Sequence, residues 1–146
     1  MSPHPPGRDA HHSTSTFGEL MTEVMSDADR FGHRQHIHLT WLAVRRYGTS
    51  AAAELISGGI KQTATYAGAP QKYNATVTRA WVELAGHHTL HSDADMFDDF
   101  ARQNAELLDK KLLTRFYRSS TLASDSARTA WVEPDLASFP WIASAS

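Results

Sequence analysis

The stretch FGHRQHIHLTWLAVRRYG (residues 31–48) decides the fold class of this chain. Its apolar residues recur at the spacing of one helix face. The stripe consists of Ile37, Trp41, Val44 and Tyr47. Gly48 follows, and glycine is the residue that most often ends a helix. The pattern therefore predicts a helix over His33–Tyr47, with the stripe turned toward the core.

Helical spacing continues along the rest of the chain. Further helices are predicted at Phe17–Met25, from Ala51 to about Tyr66, from Pro70 through His88, from a cap at Ser92 through Leu108, over the turn Asp109–Leu113, and at about Ser124–Trp131. Gly58 and Gly59 inside a helix predict close packing against a neighbouring helix. No segment alternates with the period of a strand, and no Asn-Gly or Asp-Gly pair indicates a hairpin. We therefore expect an all-α fold, a compact bundle of about five to six helices.

The two ends of the chain differ from the helical body in composition. Residues 1–16 hold three prolines and almost nothing apolar, so burial cannot offset their ordering entropy and a disordered tail is expected. Residues 17–146 are expected to form a single helical domain. Near the C-terminus, two prolines in VEPDLASFPW (132–141) prevent a continuous helix, which predicts an extended C-terminal strap over the bundle.

Composition excludes several classes of function. The chain has 146 residues, a net charge of −2 and no cysteine. The near-balanced charge argues against nucleic-acid binding, and the lack of cysteine excludes thiolate metal sites and cysteine nucleophiles. No apolar run has the length of a membrane span, and the N-terminus lacks the apolar core of a signal peptide. We therefore expect a cytoplasmic protein with no membrane partner.

Two histidines at the start of the predicted helix are the candidate catalytic residues. His33 and His36 are three residues apart, so both lie on the face that carries Ile37 and Trp41. Imidazole titrates near neutral pH and transfers protons readily. The same spacing also suits a divalent metal, which would need further ligands. Three interpretations stay open: a metal-free acid/base pair, a metal site with His33 and His36 as ligands, and a structural role.

Six further residues are candidates for substrate binding. Aromatic residues would shape an apolar pocket, an amide and a hydroxyl would orient a carbonyl group, and a lysine would contact an anionic group. These residues are Trp41, Lys72, Asn74, Thr78, Trp81 and Tyr117. Because Asn74, Thr78 and Trp81 share one face of a helix, we expect them to border the same cavity as the two histidines.

Several motifs resemble those of a group of small, mostly actinobacterial helical proteins. They lie in FGHRQHIHLTW (31–41), GAPQKYNATVTRAWVELAGHH (68–88) and NAELLDKKLLTRFYRSSTLASDSARTAWVEPDL (104–136), followed by SFP. The pattern of the group is Phe-x-His-x-x-His, Lys-Tyr-His-Glu-Thr-x-Thr, Leu-Leu-Asp and Val-Glu-Pro-Asp-Leu. This chain has Asn74 and Ala75 where the group has His and Glu. If that His and Glu are metal ligands in the group, the departure implies a metal-free site here, with Asn74 as a donor to a substrate carbonyl.

The resemblance implies no particular activity, but it associates the chain with small-molecule biosynthesis. Together with the histidine pair, it favours an enzyme of secondary (natural-product) metabolism that catalyses a non-redox step without a cofactor. Cyclisation, elimination, isomerisation and hydrolysis are the reactions expected. The alternatives are a metal-dependent enzyme that uses His33 and His36 as ligands, and a non-catalytic helical binding or scaffold protein. The expected partners are a small-molecule substrate and, in a homodimer, a second copy of the chain.

Overall fold

The structure is a computed structural model that describes the backbone of residues 7–139 and the side chains of residues 16–139. Its α-helices are α1 (Gly7–Val24), α2 (His33–Tyr47), α3 (Thr49–Tyr66), α4 (Ala75–Leu90), α5 (Phe97–Gln103), α6 (Ser119–Leu122) and α7 (Asp125–Thr129). Short 3-10 helices lie at Pro70–Lys72, Ala105–Leu108 and Lys110–Arg115. No strand occurs between residues 7 and 139, and the predicted all-α fold is confirmed. Among the helices of this part, none is both long enough and apolar enough to span a lipid bilayer.

Helix α2 is the centre of the bundle and packs against α1, α3 and α4. Leu39, Leu42 and Ala43 lie off the predicted apolar stripe and are nevertheless buried. The stripe itself is buried only as far as Val44, since Tyr47 is 48% exposed. The buried surface of α2 is therefore wider than the single apolar stripe predicted from the sequence. The reason is that three helices pack around α2.

The first helix begins well before the position expected for the folded body. α1 starts at Gly7, whereas the sequence predicts a disordered tail over residues 1–16. The prolines of that segment lie at positions 3, 5 and 6, so none of them interrupts a helix that begins at residue 7. Residues 1–6 lie outside the described part of the chain. In the second half of α1, Leu20 and Val24 are buried and attach the helix to the bundle.

Helices α1 and α3 approach each other closely at a glycine. A Cβ atom placed on Gly59 would lie 2.3–2.5 Å from ring atoms of Phe17, which is closer than any ordinary contact. The same atom placed on Gly58 would meet nothing within 4 Å. The close packing predicted from the glycine pair is therefore confirmed for Gly59 and does not extend to Gly58.

Two helices begin later than the sequence predicts. Asn74 caps α4, because its side chain accepts a hydrogen bond at 2.9 Å from the backbone N–H three residues further on. Pro70 instead opens the 3-10 helix that precedes α4. α5 begins after Met96 rather than after Ser92. The Ser92 hydroxyl accepts a hydrogen bond from Ala94 N, which closes a turn outside the helix.

The segment after α7 lies outside any helix as far as Phe139, as predicted for the strap, and residues 140 and 141 of the predicted strap lie outside the described part of the chain. The Thr76 hydroxyl in α4 donates to Ala130 O at 2.7 Å and accepts from Val132 N at 3.0 Å. The Tyr117 hydroxyl donates to Val132 O at 2.7 Å. Phe139, the last residue described, is 1% exposed. The strap is therefore held to the bundle both by hydrogen bonds and by a buried ring.

Candidate functional site

The first turn of α2 carries His33 and His36, about 60° apart around the helix axis. Gly32 precedes the turn, and its N–H donates to the Gln35 side chain at 2.9 Å, which fixes the start of the helix. The edge of the His33 ring faces Trp81 of α4, with ring centroids 4.4 Å apart. The structure therefore brings together the two predicted catalytic histidines and one of the predicted substrate-binding residues.

A long-range hydrogen bond fixes the His33 ring. Its Nε2 lies 2.8 Å from the carbonyl oxygen of Leu107. Because a carbonyl only accepts, Nε2 carries the proton, and Nδ1 of the neutral ring keeps its lone pair. Burial lowers the pKa of His33, while the bond to Leu107 opposes that shift. His33 is therefore neutral at pH 7 and has one defined tautomer.

The His36 ring differs from that of His33, because one of its nitrogens is buried without a partner. Nε2 of His36 makes no hydrogen bond to any residue that the structure describes. Burial, and secondly the neighbouring His33, lower the pKa of His36 to about 4. The Phe31 ring lies beside it, with centroids 6.3 Å apart. At pH 7, His36 is thus a neutral imidazole whose interior nitrogen is free to form a hydrogen bond.

Both ends of the Asn74 amide make hydrogen bonds within the protein. Its Oδ1 accepts from Val77 N, and its Nδ2 donates to Leu122 O at 2.7 Å. One end of the amide therefore caps α4 and the other holds the end of α6. Asn74 therefore fixes these two helices, and its contact with a substrate carbonyl stays a prediction.

The remaining predicted binding residues have separate surroundings. Trp41 packs against Phe97 and Phe100 of α5, with ring centroids 5.7 and 6.2 Å away. Tyr117 is fully buried and bonded to the strap, and burial raises the pKa of its hydroxyl. Lys72 lies exposed in a 3-10 helix.

Thr78 is buried on α4, the helix that also carries Trp81. No hydrogen bond of the described residues ties Thr78 to His33 or His36. The sequence-predicted set thus contains a core of His33, His36 and Trp81, to which the structure adds the Leu107 carbonyl. That carbonyl is 74 residues from His33, and no local pattern could have indicated it.

The divalent-metal alternative needs ligands beyond His33 and His36. Within residues 16–139, no group of three or more His, Asp or Glu side chains is arranged to hold a metal ion. Nε2 of His33 is also already bonded to the Leu107 carbonyl. The described residues therefore do not supply the third ligand that this alternative requires.

Comparison with known proteins assigns no family to the chain. A scan against protein-family models, a search of curated proteins and a search of solved structures each found no match. The fold and the site define the class on their own: an all-α bundle whose central helix begins with two neutral, inward-facing histidines.

Proposed function

We propose that the protein is an enzyme that transfers a proton on a small organic molecule, with His36 as the general base. The observation that carries this proposal is the buried Nε2 of His36, which has no hydrogen-bond partner among the described residues. Leaving a buried polar atom unsatisfied costs about 1–3 kcal/mol, and native proteins rarely tolerate it. Unsatisfied buried groups of this kind are typical of functional sites, where a residue is retained for its chemical role although it lowers the stability of the fold.

His36 meets the first requirement of a base, which is to be unprotonated at the working pH. Because burial lowers the pKa of His36 to about 4, its ring is neutral throughout the physiological range. Because Nε2 is buried, a hydrogen bond that it forms with a bound molecule is stronger than the same bond in water. A base of this pKa suits a substrate proton that is acidified by a neighbouring electron-withdrawing group.

His33 and Trp81 position the base rather than react. The Leu107 carbonyl holds the proton of His33 on Nε2, and the Trp81 ring packs against the same imidazole. A proton added to His33 would repel one on His36, and this proximity contributes to the low pKa of His36. His33 therefore adds to the effect of burial in keeping His36 neutral, and the contact with Trp81 helps to hold the His33 ring in place.

A ring-opening probe tests the proposed base. In 5-nitrobenzisoxazole, a base removes the proton on C3, the C–H electrons form a nitrile, and the N–O bond breaks to give a coloured phenolate. We expect the His36→Gln variant to lose about 10²-fold in rate, the lower end of what a general base contributes. The matched control is His91→Gln, which removes an exposed histidine and is expected to keep the wild-type rate.

The pH profile of the same reaction separates His36 from surface imidazoles. Because the base acts in its unprotonated form, the rate is expected to be constant near pH 7 and to fall on acidification with an apparent pKa of about 4. An exposed histidine would give a fall near pH 6.5. Equal rates for wild type and His36→Gln, or a fall centred near pH 6.5, would contradict the proposal. Far-UV circular dichroism at each pH shows whether the protein is folded.

A further inference from the structure

A cleft of about 510 Å³ lies between α3 and α4, lined by residues of both helices. None of the catalytic or substrate-binding residues predicted from the sequence lines this cleft. Its polar lining consists of Thr49, Ser50, Glu54, Ser57, Arg79 and Glu83. The volume is in the range of small-molecule sites, and it is large enough for a monosaccharide.

The cleft exists because the facing side chains of α3 are small or polar. Helices of a bundle normally bury an apolar stripe between them, which closes the gap. At one end α3 and α4 do meet, since a Cβ atom on Gly86 would lie 2.9 Å from the Thr49 methyl carbon. Further along, Ser50, Glu54 and Ser57 face the gap instead and leave it open.

A hydroxyl at the closed end of the cleft lacks a hydrogen bond. Oγ1 of Thr49 is buried and has no partner in the described part of the chain. Thr63 and Thr65 of the same helix bond to carbonyls one turn earlier, at 2.8 and 3.0 Å. Buried hydroxyls in native proteins nearly always have a partner, so the Thr49 hydroxyl is available to a bound molecule.

The charges in the cleft favour a cation. Arg79 lies over the Trp131 ring at 4.6 Å and 3.6 Å from Glu83, which places its guanidinium at the wall. None of the ion pairs among the described residues includes Glu54. Two carboxylates against one guanidinium leave a surplus negative charge, and a carboxylate accepts hydrogen bonds from an ammonium group.

We propose that this cleft binds a small organic ammonium compound that carries hydroxyl groups, of the amino-sugar class. The ammonium group lies between Glu54 and Glu83, and ligand hydroxyls exchange hydrogen bonds with Thr49 and Ser57. The recognition is independent of His36, which lies on another helix and does not line the cleft.

Calorimetric titration of the full-length protein with D-glucosamine tests the proposal, with N-acetyl-D-glucosamine as the uncharged control sugar. We expect glucosamine to bind, and the N-acetyl compound to bind at least about tenfold more weakly, because it lacks the ammonium group. The Glu54→Gln and Thr49→Val variants are each expected to weaken glucosamine binding by about tenfold. Glu19→Gln, which removes an exposed acid of α1, is the matched control and is expected to bind as the wild type does.

Three outcomes would overturn the proposal: no binding of glucosamine, equal binding of both sugars, or equal weakening by Glu19→Gln and Glu54→Gln. The last would indicate a general effect of surface charge. Because Glu54 is exposed, its substitution is expected to leave the fold intact even if Thr49→Val does not. His36→Gln is expected to bind glucosamine as the wild type does, which keeps this test separate from that of the proposed base.

Discussion

Two histidines one turn apart on α2 have opposite hydrogen-bonding situations. His33 donates to the Leu107 carbonyl at 2.8 Å, whereas Nε2 of His36 is buried and has no partner among the described residues. Helical spacing was sufficient to single out both residues. It could not distinguish them, because the difference depends on a carbonyl 74 residues away.

Replacing each histidine by leucine should therefore change stability in opposite directions. His36→Leu removes a buried polar atom that has no partner, and we expect the unfolding free energy at pH 7 to rise by about 1–3 kcal/mol. His33→Leu leaves the Leu107 carbonyl without its donor, and we expect a fall of about 1–3 kcal/mol. Urea denaturation of both variants measures the two values. A loss of stability in His36→Leu would show that the buried nitrogen has a partner.

Asn74 shows how one residue type supports two hypotheses. Asparagine is among the best helix N-caps, so the sequence contained the signal for a helix start at Ala75. Pro70 offered a competing start, because proline is favoured in the first turn of a helix. A helix that extends back to Pro70 would place Asn74 on a helix face, which favours contact with a substrate. The structure instead uses its amide to join α4 to α6.

At the scale of single elements, periodicity was most successful where the helix is long. The bounds predicted for α2, His33–Tyr47, agree with the structure. The helix predicted after Ser92 is instead divided into α5 and a 3-10 helix at Ala105–Leu108. Asn104 lies between them with φ −128° and ψ 49°, which ends the α-helical path. Apolar spacing alone does not reveal such a break, since the apolar residues on both sides remain buried.

The glycine pair of α3 allows a matched test of how α1 is attached. Gly59→Ala places a methyl group against the Phe17 ring, and we expect it to lower the unfolding free energy by about 1–3 kcal/mol through overpacking. Gly58→Ala meets no neighbour, and we expect it to raise the unfolding free energy by about 1 kcal/mol through helix propensity. Thermal denaturation of the two variants measures whether the unfolding free energy falls in Gly59→Ala and rises in Gly58→Ala. Equal effects would mean that α1 does not pack against α3 at Gly59.

At the scale of the whole molecule, the all-α class followed from helical spacing and from the lack of strand patterns. The way in which the helices pack together could not be predicted from that spacing. Thr76 bonds to Ala130, directly after α7, and to Val132 of the strap, which are 54 and 56 residues away. Such contacts between residues distant in sequence depend on how whole helices are placed against each other, which local sequence patterns do not indicate. The same reason explains why the cleft between α3 and α4 was not predicted, although the polar residues of α3 recur at helical spacing.

The low pKa of His36 links its protonation to the folding of the whole chain. Between about pH 6.5 and 4, the unfolded chain binds a proton at this residue that the folded protein does not. The unfolding free energy is therefore expected to fall as the pH decreases through this window, by about 3 kcal/mol in total from His36. The pKa values of His33 and His38 are lowered as well and act in the same direction.

Comparison with His36→Leu isolates the contribution of His36, since the other histidines are present in both proteins. Chemical denaturation at a series of pH values should give a steeper loss of stability for the wild type. Above about pH 6.5 the difference between the two proteins should be constant, because the ring is neutral in both the folded and the unfolded state. Parallel curves over the whole range would exclude a buried neutral imidazole at position 36.

The most direct test of the central claim is an NMR titration of the His36 ring in the full-length protein. The carbon and nitrogen shifts of the imidazole report its protonation, and the His36→Gln variant identifies its signals. The account predicts that the ring stays neutral at pH 7 and titrates at about pH 4, because burial disfavours its charged form. A midpoint near pH 6.5, the value for an exposed histidine, would contradict it and remove the basis for His36 as the base.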